Sequence, residues 1–215
     1  MRSFNLLVAA FALLQCFRYA RRALLFVLPT VRVWGEPGVA PRSARRLRLG
    51  ASLEKLGFTS LGIQHELSPL GARSVEGDAY ASAQRGVFAD VVEHGRGDGP
   101  GVVFFTPFAS GAAVLTASFN RPAISTEHVQ AGGIADAPLD AVLAAHQVAV
   151  GRFARRHGPP TVTVDLEARM TATRAWFRGE GRRELRRTNA TAFAIVLFGL
   201  VLLASAVNSV IRSAI

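Results

Sequence analysis

The chain has 215 residues, half of them apolar and 19% charged, with a formal net charge of +10. That is too apolar for an intrinsically disordered chain and fits one domain with additional segments, while a single cysteine, Cys16, excludes an internal disulfide or a multi-cysteine metal centre. The excess charge is not the footprint of a nucleic-acid-binding domain, because residues 1–48 carry +8 and residues 169–215 carry +6, whereas residues 49–168 carry −4.

The first run, Ser3–Phe17, is 15 uncharged residues (SFNLLVAAFALLQCF), and Arg18, Arg21 and Arg22 follow at helical spacing before a second apolar stretch, Ala23–Val31. Fifteen residues fall short of the roughly 17 to 20 that cross a bilayer as a helix, although a snorkelling Arg18 extends the span by a turn. Three readings fit this segment: an uncleaved anchor, an interfacial amphipathic helix and a cleaved signal peptide. We take residues 1–34 as an anchor with a basic flank. Gln15 stands where a lipoprotein signal would need a small residue, so lipidation of Cys16 is not expected.

Residues 35–42 (GEPGVAPR) read as a linker, after which Ser43–Leu56 reads as a helix with Leu47, Leu49, Leu53 and Leu56, stopped by Gly57. Extended stretches are predicted at Phe58–Leu67, near Ala79–Ala83, and at Val87–Glu93, Val102–Thr106 and Ala112–Phe119. These are rich in β-branched or aromatic residues and separated by turns. Val129–Ala131 reads as a short edge strand. The loop Gly95–Gly101 (GRGDGPG) is a hairpin turn rather than a phosphate cradle, since a strand and not a helix follows it. Val102–Phe105 is apolar on both faces, so the sheet needs cover on both sides, and the second cover is not evident. The predicted fold is α+β, an antiparallel meander of five or six strands packed by helices and flanked by N- and C-terminal membrane helices.

Asp136–His157 reads as a helix, with Asp136 as its cap and Pro138 in its first turn. Arg155, Arg156 and His157 lie at its end, and Leu139, Val142, Leu143, His146, Val150 and Phe153 form one stripe. The α+β domain is therefore taken as residues 43–160. A second helical stretch, residues 161–187, runs toward the last apolar run, with Gly179 and Gly181 as its weak point. Residues 188–211 are 24 in number, contain no charge and suffice for a transmembrane helix.

Lys and Arg near membrane ends favour the cytoplasmic side. Eight arginines lie between residues 18 and 48 against Arg2 before the first run, and seven lie between 169 and 187 against Arg212 after the last. Both asymmetries put the central domain in the cytoplasm, and a cleaved signal peptide would break the rule. Arg18, Arg21, Arg22, Arg182, Arg183, Arg186 and Arg187 are the candidate contacts to anionic lipid headgroups, because guanidinium pairs well with phosphate oxygens.

The five histidines show no zinc spacing, and no nucleophile elbow, Walker loop or dinucleotide fingerprint is present, so no catalytic residue, metal site or cofactor is expected. His146, polar on an apolar stripe, is the one candidate site residue. Asp90 and Glu93, in or beside a strand, and Asp165 and Glu167, at the start of the last helix, are expected to be solvated or to cap rather than to form a paired-acid site. Leu56-Gly57-Phe58, Thr106-Pro107-Phe108-Ala109-Ser110-Gly111, Leu115-Thr116, Pro122 and the helix with His146 resemble a loose group of uncharacterised membrane-anchored bacterial proteins. The resemblance covers roughly residues 53–158 and implies an α+β domain, membrane association and no transferable activity.

The expected protein is thus a non-catalytic protein of the bacterial inner membrane. Its cytoplasmic domain binds a protein partner or a second copy, and it has no nucleic-acid partner. A carrier or sensor of an apolar ligand held between sheet and helix, and a membrane-associated enzyme using His146 or His128, are the alternatives.

Overall fold

The computed structural model describes residues 2–38, 43–93 and 99–212. The elements in chain order are α1 (Arg2–Val27), β1 (Arg32–Glu36), α2 (Ala44–Lys55), β2 (Thr59–Leu67), β3 (Ser74–Ser82), β4 (Val87–Glu93) and β5 (Pro100–Pro107). They continue with β6 (Ala113–Ala117), β7 (Ile124–Ser125), β8 (Val129–Gly133), α3 (Leu139–His157), α4 (Leu166–Arg178) and α5 (Glu180–Arg212). The chain forms two compact units, one of residues Met1–Val31, Leu67–Ser74 and Gly179–Ile215, the other of Arg32–Glu66 and Val75–Arg178. His94 and residues 95–98 of the glycine-rich loop, like residues 39–42 of the expected linker, lie outside the described residues.

The second unit is mixed α+β. Its sheet has eight strands in the order β1-β2-β3-β4-β5-β6-β8-β7, not the five or six expected. Strands β3 to β6 pair antiparallel with their neighbours, as a meander should. The strictly antiparallel expectation fails at β8, which runs parallel to β6, with Ala113 opposite Val129. After β6 the chain passes to the outermost strand, β7, and turns back, so that β8 slots between the two. Val129–Ala131 is therefore an interior segment and not an edge. β1 was not anticipated, because five residues containing a glycine and a charge at each end give too little alternation to stand out from a basic flank.

Both faces of the sheet are covered by helices. Ser43 caps α2 by accepting a hydrogen bond from Arg46 N at 3.2 Å, and Leu53, Leu49 and Leu56 then pack with Val142 and Leu143 of α3 over Tyr80, Val91, Val102 and Phe104. The opposite face, with Phe88, Phe105, Leu115 and Val129, is closed by Ala168, Ala172 and Trp176 of α4. This is the missing second cover. The helix predicted from Asp136 starts three residues later, at Leu139, because Asp136 adopts a left-handed conformation (φ 61°) and Pro138 occupies the cap position without a side-chain bond.

The first unit pairs α1 with α5, and Phe26 stacks on Phe193 with ring centroids 4.5 Å apart. Cys16 Sγ donates to Val196 O at 3.6 Å, and a Cβ on Gly199 would come 2.6 Å from that sulfur, so glycine allows the close approach. Among the described residues, one helix is long and apolar enough to cross a membrane: Glu180–Ser209, in which an 18-residue stretch has mean hydropathy 2.5. The expected second, N-terminal span is not supported, as Arg18 ends the uncharged part of α1 after fifteen residues.

The loop leaving β6 crosses the end of β8 so closely that a Cβ on Gly133 would fall 1.9 Å from Phe119 O and 2.6 Å from Arg121 N, whereas nothing lies within 4 Å of a Cβ on Gly132. Gly133→Ala is expected to destabilise the chain by about 2 kcal/mol or more, as forced overpacking against backbone does, and Gly132→Ala by under about 1 kcal/mol. Thermal melts of the two detergent-solubilised variants check this; equal melting temperatures would refute the crossing.

Candidate functional site

His146 emerges from the stripe of α3 into the middle of the α3–sheet interface and is fully buried beside Phe104, with ring centroids 5.8 Å apart. Its Nε2 lies 3.0 Å from Thr106 Oγ1 and its Nδ1 3.0 Å from Thr116 Oγ1. Thr106 donates its own proton to Gly86 O at 2.9 Å, so it accepts from the ring. The network thus assigns the Nε2–H tautomer, with Thr116 donating to Nδ1. Burial pushes the imidazole down from its usual value to about 3, which keeps the ring neutral. The histidine ties β5, β6 and the turn at Gly86 to α3 while leaving no ring nitrogen open to a substrate.

A larger polar constellation lies on the other face. Asp90, placed by β4 on the side of Phe88, takes a bidentate contact from Arg169 of α4, with Nε donating to Oδ1 at 3.1 Å and Nη2 donating to Oδ2. Arg169 also donates to Thr173 Oγ1, and its guanidinium carbon lies 4.8 Å from the Phe105 ring centroid and 5.4 Å from that of Phe88. Thr173 reaches Gln64 Oε1, and Gln64 Nε2 donates to Glu66 Oε1 at 2.9 Å. Burial pushes the Asp90 carboxyl above the ordinary carboxylate range, while Arg169 pulls it back. The expectation that Asp90 is solvated is therefore corrected; it is 3% exposed. Glu93 does face solvent, and Asp165 does cap α4, accepting from Ala168 N at 2.8 Å. A second buried ionic tie joins Arg46 Nε of α2 to Asp78 Oδ2 at 3.1 Å, and Arg46 Nη1 also reaches the exposed Glu76 Oε1 at 3.3 Å.

Neither tie was foreseen. The signal available was an acid inside an otherwise apolar strand, VFADVVE, whose two faces both needed cover. Arg169 gave no signal, being one of a series of arginines read as a membrane flank. His128 lies apart from His146, on the surface with His157, ring centroids 5.6 Å apart. His157 is held by Ser110 Oγ at Nδ1 and Glu127 O at Nε2. Among the described residues, no three His, Cys, Asp or Glu side chains converge as a metal site would require.

The candidate headgroup arginines belong to the helical unit. Arg18, Arg21 and Arg22 on α1 and Arg182, Arg183, Arg186 and Arg187 on α5 are all exposed, and Arg183 Nη1 contacts Glu180 Oε1. α1 and α5 are antiparallel, because Phe26 meets Phe193 whereas Cys16 meets Val196 and Gly199. Both arginine sets consequently lie on the same side of the Cys16–Gly199 contact. Beyond them α5 continues without a charge to Arg212. Asn189, the first residue of a glycosylation sequon, is buried and donates to Leu185 O at 2.8 Å.

No protein-family model, curated protein or solved structure matches the chain.

Two measurements follow from this geometry. His146 is neutral when folded, and in the unfolded chain it titrates near 6.5, so between about pH 6.5 and pH 3 the unfolded state binds the extra proton. Stability attributable to this group is full above pH 6.5 and falls on acidification by about 1.4 kcal/mol per pH unit. The melting temperature of the unaltered chain should therefore drop more between pH 7 and pH 5 than that of His146→Gln; parallel curves would remove this role. Asp90→Ala, which strands the buried Arg169 charge, should cost about 3–5 kcal/mol by denaturant or thermal unfolding. The double variant Asp90→Leu/Arg169→Met should recover a large part of that loss.

Proposed function

We propose that this chain is a membrane-anchored, non-catalytic protein. In this reading α5 crosses the bacterial inner membrane, and the mildly acidic α+β unit works in the cytoplasm as a binding or scaffolding module for another protein or a second copy. The observation that carries the reading is α5 itself. It is a continuous 33-residue helix that opens on a collar of exposed arginines and continues as a charge-free run, only 17% of which is buried. A core helix of a soluble protein hides such a surface, whereas a lipid-facing helix displays it. Arg182, Arg183, Arg186 and Arg187 then meet anionic headgroups, each contributing roughly 1 kcal/mol, and Arg18, Arg21 and Arg22 of α1 join them at the same leaflet. α1 stays packed along α5. Support for a binding rather than a chemical role comes from the polar side chains of the α+β unit. Its histidine at the α3–sheet interface and the buried acids Asp78 and Asp90 are spent on holding helices to the sheet.

Leu200 and Val201, 54% and 58% exposed, face outward from α5. Leu200→Arg/Val201→Arg should move the chain out of the carbonate-resistant membrane fraction, since each arginine at mid-span costs about 2.5–3.5 kcal/mol. Protease added to intact spheroplasts should spare the α+β unit. Digestion there would overturn the orientation, and a strictly monomeric, partnerless chain after photo-crosslinking in native membranes would overturn the scaffolding role.

A further inference from the structure

Resting on the membrane reading of α5, we propose that the groove between α1 and α5 holds one acyl chain of an anionic phospholipid, with the phosphate received by Arg18, Arg22 and Arg187. The groove has a volume of about 510 Å³, within the roughly 300–1,000 Å³ of small-molecule sites, and is amphipathic along its length. With Cys16 opposite Gly199, Phe11 and Leu202 wall one end and Tyr19 and Thr191 the other, while Gln15 and Phe198 lie between them.

The guanidinium carbon of Arg18 stands 5.7 Å from the centroid of the Tyr19 ring, and so at the edge of the groove's polar end. Helical periodicity carries both walls onward to a cation. Arg22 follows Tyr19 by three residues on α1, and Arg187 precedes Thr191 by four on α5. All three arginines are exposed; the lean of helical side chains toward the N-terminus directs Arg18 and Arg22 back over the polar end, while Arg187 stands one turn before Thr191 on the interfacial side. The occupant that matches is one with a negative head and a long apolar tail, oriented as bilayer lipids are. Guanidinium meets phosphate oxygens in pairs, so a phosphate diester flanked by arginines from two helices is held in a way that a zwitterionic headgroup, carrying its own ammonium, does not reward equally.

The full chain, purified in mild detergent, is incubated with phosphatidylglycerol or with phosphatidylcholine of the same acyl chains, and bound lipid is counted by native mass spectrometry. One phosphatidylglycerol per chain should be retained, with a preference on the order of tenfold or more. Arg18→Gln/Arg22→Gln/Arg187→Gln should bring that preference close to unity, and Ala194→Trp, which projects a ring into the groove wall, should lower retention of both lipids. The control Arg182→Gln/Arg186→Gln, which removes two headgroup arginines away from the groove rows, should lower the preference far less than the triple variant does, and all variants should stay in the membrane fraction. Equal retention of the two lipids, or equal losses in the triple variant and the control, would overturn the groove assignment while leaving the anchor intact. Absence of the unaltered chain from the membrane fraction would overturn both.

Discussion

The α+β unit depends on the contact between Asp90 and Arg169, because a carboxylate in the centre of a sheet has nowhere else to place its charge. Asp90 lies on β4 between neighbours β3 and β5, facing away from α2 and α3. Water does not reach it, so a counter-charge has to be carried in on whatever closes that face. α4 carries it. The bidentate geometry, together with the neighbouring Phe88 and Phe105 rings under the guanidinium, sets the rotation and height of α4 on the sheet. The rest of its apolar side, Ala168, Ala172 and Trp176, then falls onto the core. A hydrophobic helix alone would gain similar burial in several registers; an ion pair of this kind rewards one.

The α3 face solves the same problem without charge. His146 is surrounded by hydroxyls and a carbonyl, each with one compatible role, and the chain of donors from Thr116 through the ring to Thr106 and Gly86 closes with every proton placed. The two faces therefore use opposite means to fix a helix. One is a neutral relay that acid disrupts through the unfolded state, and the other is a pair whose members are costly apart and inexpensive together.

Much of the architecture was legible from local pattern. Strands β2 to β6, the helix ending at His157, the break at Gly179 and the arginine-bordered apolar helix all stand near where alternation, glycine turns and charge placement put them. What escaped was non-local. Pairing direction is not written in a five-residue run such as VQAGG, so β8 could not be recognised as parallel. The strand expected to end at Ala131 runs on through Gly132 and Gly133, and a crossing loop lies against the second of these glycines. Asp90 was visible as an anomaly but its partner, 79 residues away, was not. The arginine series between residues 169 and 187 is not uniform: Arg169 is buried against the sheet and Arg174 is half-buried on Val33 O, while Arg178 and the four at the start of α5 face outward. Composition counts them alike; only burial separates them.

The placement of Cys16 has a practical consequence. As the sole thiol of the chain, it rests half-buried against the α5 backbone at Val196 and Gly199, so its reactivity toward an alkylating reagent should rise when the two helices separate. The molecule thus carries a native clock for the opening of that seam. A protected sulfur reports a zipped pair and a rapidly labelled one a parted pair, without any engineered reporter.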